Sequence, residues 1–153
     1  GAILDIGCYP MSFISLFTRD KNKIKLQNIK GKICDTNVDT DASADLLIND
    51  RIRCSIKVSL KEYLKNSSII HGSKASIIIN SPWLPNKKTF LEISNNEGYY
   101  KKFIKSDLSV YANQIKNVSN EFLNKVNKVQ NLFDISKSVQ NMKYLDDWIK
   151  NIN

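Results

Sequence analysis

Two consecutive runs near the middle of the chain alternate between apolar and polar residues for their full length. In the first, Thr40, Ala42, Ala44, Leu46 and Ile48 share one face, while Asp39, Asp41, Ser43 and Asp45 share the other. In the second, Ile52, Cys54, Ile56, Val58 and Leu60 oppose Arg51, Arg53, Ser55, Lys57 and Ser59. Period two over this length specifies half-buried antiparallel strands. The faces also fix the turn. A two-residue loop at Asn49-Asp50 would set Ile48 beside Arg51. A three-residue loop, Asn49 to Arg51, pairs Ile48 with Ile52 and Leu46 with Cys54. A one-residue slip flips every side chain, so the odd loop is expected.

Other strand signals flank this hairpin. Ile24 and Leu26 alternate with Lys23, Lys25 and Gln27, and Gly31 marks an expected bulge or bend. Ser67 to His71 and Ala75 to Asn80 read as a second hairpin around Gly72-Ser73-Lys74. Ser81 to Lys88 contains two prolines three apart and reads as a loop. Thr89 to Ser94 and Tyr99 to Ile104 pair across Asn95-Asn96-Glu97-Gly98. Two helical patterns follow: Tyr111, Ile115, Val118, Phe122, Val126 and Val129, then Ile135, Val139, Met142, Leu145 and Ile149. Ser106 or Asp107, and Asp134, are the expected N-caps. The prediction is an α+β domain: an open, mainly antiparallel sheet of about six or seven strands with helices packed on one face. At 153 residues the chain forms one domain, 1–153.

The opening stretch, GAILDIGCYPMSFISLF, is apolar and helix-like, with Phe13, Ile14 and Phe17 at helical spacing. Pro10 leaves two possibilities: the main helix starts near Pro10 with Asp5 in the preceding turn, or one helix is kinked there. In both, Asp5 and Tyr9 stay close, because residues four apart on a helix share a face. A carboxylate beside a phenol is an acid–base arrangement, although an unperturbed tyrosine pKa near 10 needs a nearby cation to favour the phenolate. The structural alternative is that Asp5 caps a helix and Tyr9 is a partly buried aromatic.

No rival chemistry emerges elsewhere. Asp39 to Asp50 places oxygen ligands like a calcium loop, but Ala44 stands where the sharp turn needs Gly, and Asp50 where a bidentate Glu belongs. His71 is the only histidine, too isolated for a metal site or a histidine-based triad. Its HGSK context lacks a phosphate cradle, and no GxGxxG occurs. Trp83 and Trp148 read as core or loop anchors. Cys8, Cys34 and Cys54 form an odd set without CxxC spacing, which points to reduced, buried thiols in a cytoplasmic protein. No metal site is expected. No apolar run reaches the roughly 20 residues of a membrane span. The formal net charge is +8, from 23 basic and 15 acidic residues. Its densest group, Arg19, Lys21, Lys23, Lys25, Lys30 and Lys32, has no interleaved aromatics to stack bases, so no nucleic-acid partner is expected.

GAILDIGCYP closely resembles the signature that opens the C-terminal domain of the Gfo/Idh/MocA family of NAD(P)-dependent oxidoreductases. VDTDASADLLIND (Val38 to Asp50), IIHGSKASIIINSPWLP (Ile69 to Pro85), SVYANQI (Ser109 to Ile115) and SVQNMKYLDDW (Ser138 to Trp148) are similar to later family segments, in family order. The resemblance implies an enzyme whose N-terminal Rossmann domain binds NAD or NADP and supplies a catalytic lysine, both absent from this chain. It implies hydride transfer to or from a sugar, polyol or diol. A tyrosine at position 9 is similar to the tyrosine-type branch, which implies Tyr9 as proton donor or acceptor, with Asp5 orienting it. It also implies a homodimer or higher homo-oligomer formed through the sheet, and no dehydrogenase activity or bound cofactor for this chain alone. Two other readings stay open: a non-catalytic assembly module built on the face carrying Asp39, Asp41, Arg53 and Lys57, and a basic nucleic-acid binder.

Overall fold

The computed structural model describes residues 1–17, 24–123 and 135–152. Arg19, Lys21 and Lys23, the helix positions Val126 and Val129, and the expected cap Asp134 lie outside them. Among the described residues the fold is α+β with seven antiparallel strands, as the alternation predicts. The strands hydrogen-bond as two sets, β1-β2-β3 and β4-β5-β6-β7. The chain divides accordingly into two compact units: residues 1–64 with 133–153, and residues 65–132.

In the first unit, β1 (Ile24–Ile33), β2 (Asp39–Ile48) and β3 (Ile52–Ser59) form a meander. The β2–β3 register pairs Ile48 with Ile52 and Leu46 with Cys54, the pairing that the three-residue loop requires. Asn49 and Asp50 both take positive φ, 51° and 55°, a conformation that Asn and Asp tolerate better than other non-glycine residues. Thr40, Ala42, Ala44, Leu46 and Ile48 are all buried, so β2 turns its predicted face inward.

In β1 the bulge lies earlier than Gly31. Gln27 pairs with Asp45 and Lys30 with Ser43, which leaves one extra residue on β1. Asn28 takes φ 48° there and donates to Asp45 Oδ2 at 2.8 Å. The inward side switches parity across it, from Ile24 and Leu26 to Ile29 and Gly31. Gly31 serves close packing instead: a Cβ there would meet Ile152 Cγ2 at 2.7 Å.

Against this sheet pack a π-helical turn (Ile3–Gly7) that continues into α1 (Cys8–Ser15), and α3 (Ile135–Lys150); between them in the chain lies α2, Val110–Phe122. Pro10 is therefore inside a continuous helical run. A π turn is wider than an α turn, and this one lies where the proline ring would otherwise press on the carbonyl one turn back. Ile3, Met11, Leu46, Ile48, Leu145 and Trp148 are each less than 2% exposed. At about 1.5–3 kcal/mol per fully buried large apolar side chain, this cluster dominates the unit's stability.

In the second unit, β4 (Ser67–His71), β5 (Ala75–Asn80), β6 (Lys88–Asn95) and β7 (Gly98–Lys105) form another meander. The β6–β7 turn is tighter than expected, since Asn95 pairs directly with Gly98. The cap of α2 is Ser109, which accepts from the Ala112 N–H at 3.3 Å, rather than Ser106 or Asp107. Ser106 instead ties the preceding turn, accepting from Leu108 N–H and from Asn113 Nδ2.

The expected core stripes are only partly buried. On α2, Tyr111, Ile115, Val118 and Phe122 are all exposed. On α3, Ile135, Val139 and Met142 are exposed, while Leu145 and Trp148 are fully buried. No described side chain of the second unit is fully buried.

Candidate active site

The opening helix has two sides. Ala2, Ile3, Gly7, Met11 and Ile14 are buried at three- and four-residue intervals. Leu4, Asp5 and Tyr9 are exposed, Tyr9 at 48%. The predicted carboxylate and phenol are thus both exposed on one continuous helical run. Asp5 does not cap it.

The cap comes from elsewhere. Asp39 Oδ2, at the start of β2, accepts the Ile3 N–H at 2.7 Å. One of the orphan donors at the helix start is thus satisfied by a carboxylate, which also opposes the positive end of the helix dipole. The bond spans 36 residues, and no local sequence signal could have announced it. Within the helix, Ser12 Oγ donates to the Tyr9 carbonyl at 2.9 Å, and Cys8 Sγ lies 3.5 Å from the Asp5 carbonyl. Burial raises the Cys8 thiol pKa.

Other titratable clusters have structural partners. Asp41 accepts from Ser59 Oγ and, at 2.8 Å, from Thr40 Oγ1; these bonds hold its pKa below the ordinary value. Asp45 is lowered in the same way by Asn28 and by Ser55, the latter at 2.6 Å. Glu92 accepts from Tyr99 Oη at 2.6 Å and Asn80 Nδ2 at 2.7 Å. Those bonds lower Glu92 and raise Tyr99. His71 Nδ1 and Ser76 Oγ are 2.9 Å apart across the β4–β5 pair, a strand-end contact.

The three cysteines are partly rather than fully buried. Among the described residues no group of three or more His, Cys, Asp or Glu side chains is placed to hold a metal ion. No described helix is long and apolar enough to cross a membrane. Two open grooves occur in the first unit. One, about 490 Å³, crosses the polar face of β1–β3; the other, about 400 Å³, lies between β1 and α3. Neither includes Asp5 or Tyr9.

The residues present do not build a dinucleotide cradle: the sequence has five glycines and no GxGxxG. The outward face of the opening helix carries one phenol, Tyr9, and one carboxylate, Asp5.

No protein-family model matches the sequence, and no curated protein matches it. Solved structures do. A variant of a 3-ketoreductase from Actinomadura kijaniata, in complex with TDP-benzene and NADP, superposes with a TM-score of 0.84 at 15% identity, covering 100% of this chain and 46% of that one. A UDP-N-acetylglucosamine 3-dehydrogenase from Acidithiobacillus ferrooxidans gives 0.66 at 13%, covering 97% and 46%. A probable oxidoreductase, yhhX, gives 0.64 at 19%, covering 99% and 48%. The chain thus has the fold of one part of these oxidoreductases, and it spans about half the length of each.

Proposed function

We propose that this chain is the substrate-side domain of a nicotinamide-dependent oxidoreductase acting on a sugar, polyol or related diol. The observation that carries the reading is the fold: it matches, over 100% of this chain, part of a 3-ketoreductase solved with NADP. The opening segment adds the resemblance of GAILDIGCYP to the Gfo/Idh/MocA family. NAD or NADP, which exchanges a hydride with the substrate, would be held outside this chain, because these residues offer it no cradle. The chain alone should therefore show no turnover.

Tyr9 is assigned as the proton donor or acceptor for the substrate oxygen, and Asp5 as the group that orients it. A tyrosine working near neutral pH needs a cation close to its oxygen. Gly1 to Thr18 contains no Lys or Arg, so that cation must come from other residues.

The test is Tyr9→Phe in the polypeptide that joins this domain to its cofactor-binding part. Loss of general acid–base catalysis lowers rates by about 10²–10⁴. The expected result is a fall of kcat in that range with KM changed by less than about threefold. Undiminished turnover would remove Tyr9 from the mechanism.

A further inference from the structure

We infer that Gly7 and Trp148 act together as positioning residues for the Asp5–Tyr9 pair. The inference rests on the reading above and assigns that site two further residues. Gly7 closes the π turn midway between Asp5 and Tyr9. It is buried, and a Cβ placed on it would lie 3.1 Å from Cζ3 of the Trp148 indole. That is tighter than ordinary contact, so the backbone of the turn rests directly on the ring. Trp148 itself is 0% exposed, on α3 beside Leu145.

The ring is held by shape rather than by a hydrogen bond, because its Nε1–H is buried and has no partner among the described residues. At the other end of the turn, Asp39 accepts the Ile3 N–H. A carboxylate thus fixes where the π turn begins, and an indole fixes where it ends. Asp5 projects from the segment held between them, and Tyr9 from the first turn of α1, two residues beyond Gly7. A catalytic group displaced by even part of an ångström loses much of the advantage of orientation. A methyl at position 7 forces a displacement of a few tenths of an ångström.

The experiment is a double-mutant cycle in the cofactor-bearing polypeptide. Gly7→Ala is expected to lower kcat by up to about 10-fold, less than the roughly 10²-fold of a full 1 Å misplacement, while KM holds within about threefold. Trp148→Phe lacks the six-membered ring that carries Cζ3 and leaves room for the methyl. Adding it to Gly7→Ala should restore kcat to within about threefold of Trp148→Phe alone, with kcat taken per folded molecule and well below the Tm of each variant so that stability changes do not enter. Full kcat in Gly7→Ala, alongside a dead Tyr9→Phe, overturns the positioning role and leaves the tyrosine role intact. Full kcat in Tyr9→Phe overturns both. If Gly7→Ala does not fold, Trp148→Leu removes the wall instead; a lowered kcat at constant KM supports the role, and an unchanged kcat overturns it.

Discussion

The turn between β1 and β2 places Cys34 Sγ 3.0 Å from Thr36 Oγ1. The hydroxyl hydrogen bond, followed by backbone N–H groups of the same turn, lowers the thiol to about 7 from an ordinary 9.0. Burial moves Cys8 and Cys54 the other way. Thiolate is the nucleophilic form and accumulates above the pKa. Iodoacetamide should therefore alkylate Cys34 first, with a rate that rises to half its maximum near pH 7. Thr36→Val should move that midpoint upward toward the ordinary value; peptide mapping of the alkylated sites at a series of pH values checks both. This scale also shows what sequence can and cannot reveal about the site. That Asp5 and Tyr9 lie on one helical run was legible from the apolar spacing of the opening stretch. The Asp39 cap and the Trp148 wall were not, because each joins residues brought together only by the folded sheet and helices.

At the scale of elements, alternation was the readable signal, and the β2–β3 hairpin shows its strength. Two apolar faces that must meet admit only an odd loop, so the register follows from sequence alone. The bulge in β1 was expected at Gly31 and lies at Asn28, where the inward side passes from Ile24 and Leu26 to Ile29. Amphipathic helices were less faithful. Their spacing predicts a buried stripe, yet Ile115 and Phe122 stay exposed, because periodicity shows which face is apolar and not what covers it. Deleting Asp50 leaves Asn49 and Arg51 as a two-residue loop that still pairs Ile48 with Ile52, but Arg51 must then take the positive φ that such tight loops require. That variant should keep its cooperative thermal transition, because Ile56 and Val58 stay in the core, and should melt at a lower temperature, because a left-handed arginine costs about 1–2 kcal/mol. Asp50→Gly keeps the loop length and suits the positive φ. It gives up only the exposed Lys25–Asp50 ion pair at 2.7 Å, typically worth about 0–1 kcal/mol. Its Tm should stay within about 4 °C of the parent.

At the scale of the whole molecule, the strongest constraint is the open face of the second sheet. Register places Ile69, Ile78, Glu92 and Lys101 in one row of that face, with Phe90 opposite Phe103 and Ser94 opposite Tyr99. Ile69, Tyr99 and Phe103 are 56%, 59% and 77% exposed. The face has its own order: Lys101 Nζ sits 4.4 Å from the Phe90 ring centre, and the Phe90 and Phe103 centroids are 5.8 Å apart. Aromatic side chains bordered by charges of both signs are the composition of a protein interface rather than of a solvated surface. Were a second copy of the chain to dock on this face, each Lys101 would meet a partner's Glu92. Sedimentation of the unaltered protein should then show a species of at least twice its monomer mass. Phe103→Glu should dissociate it, because a buried unpaired carboxylate at the centre of an interface is strongly unfavourable. Phe122→Glu, on the exposed side of α2, should not. A monomer at tens of micromolar, or dissociation by both variants alike, would rule out a homodimer through this sheet face.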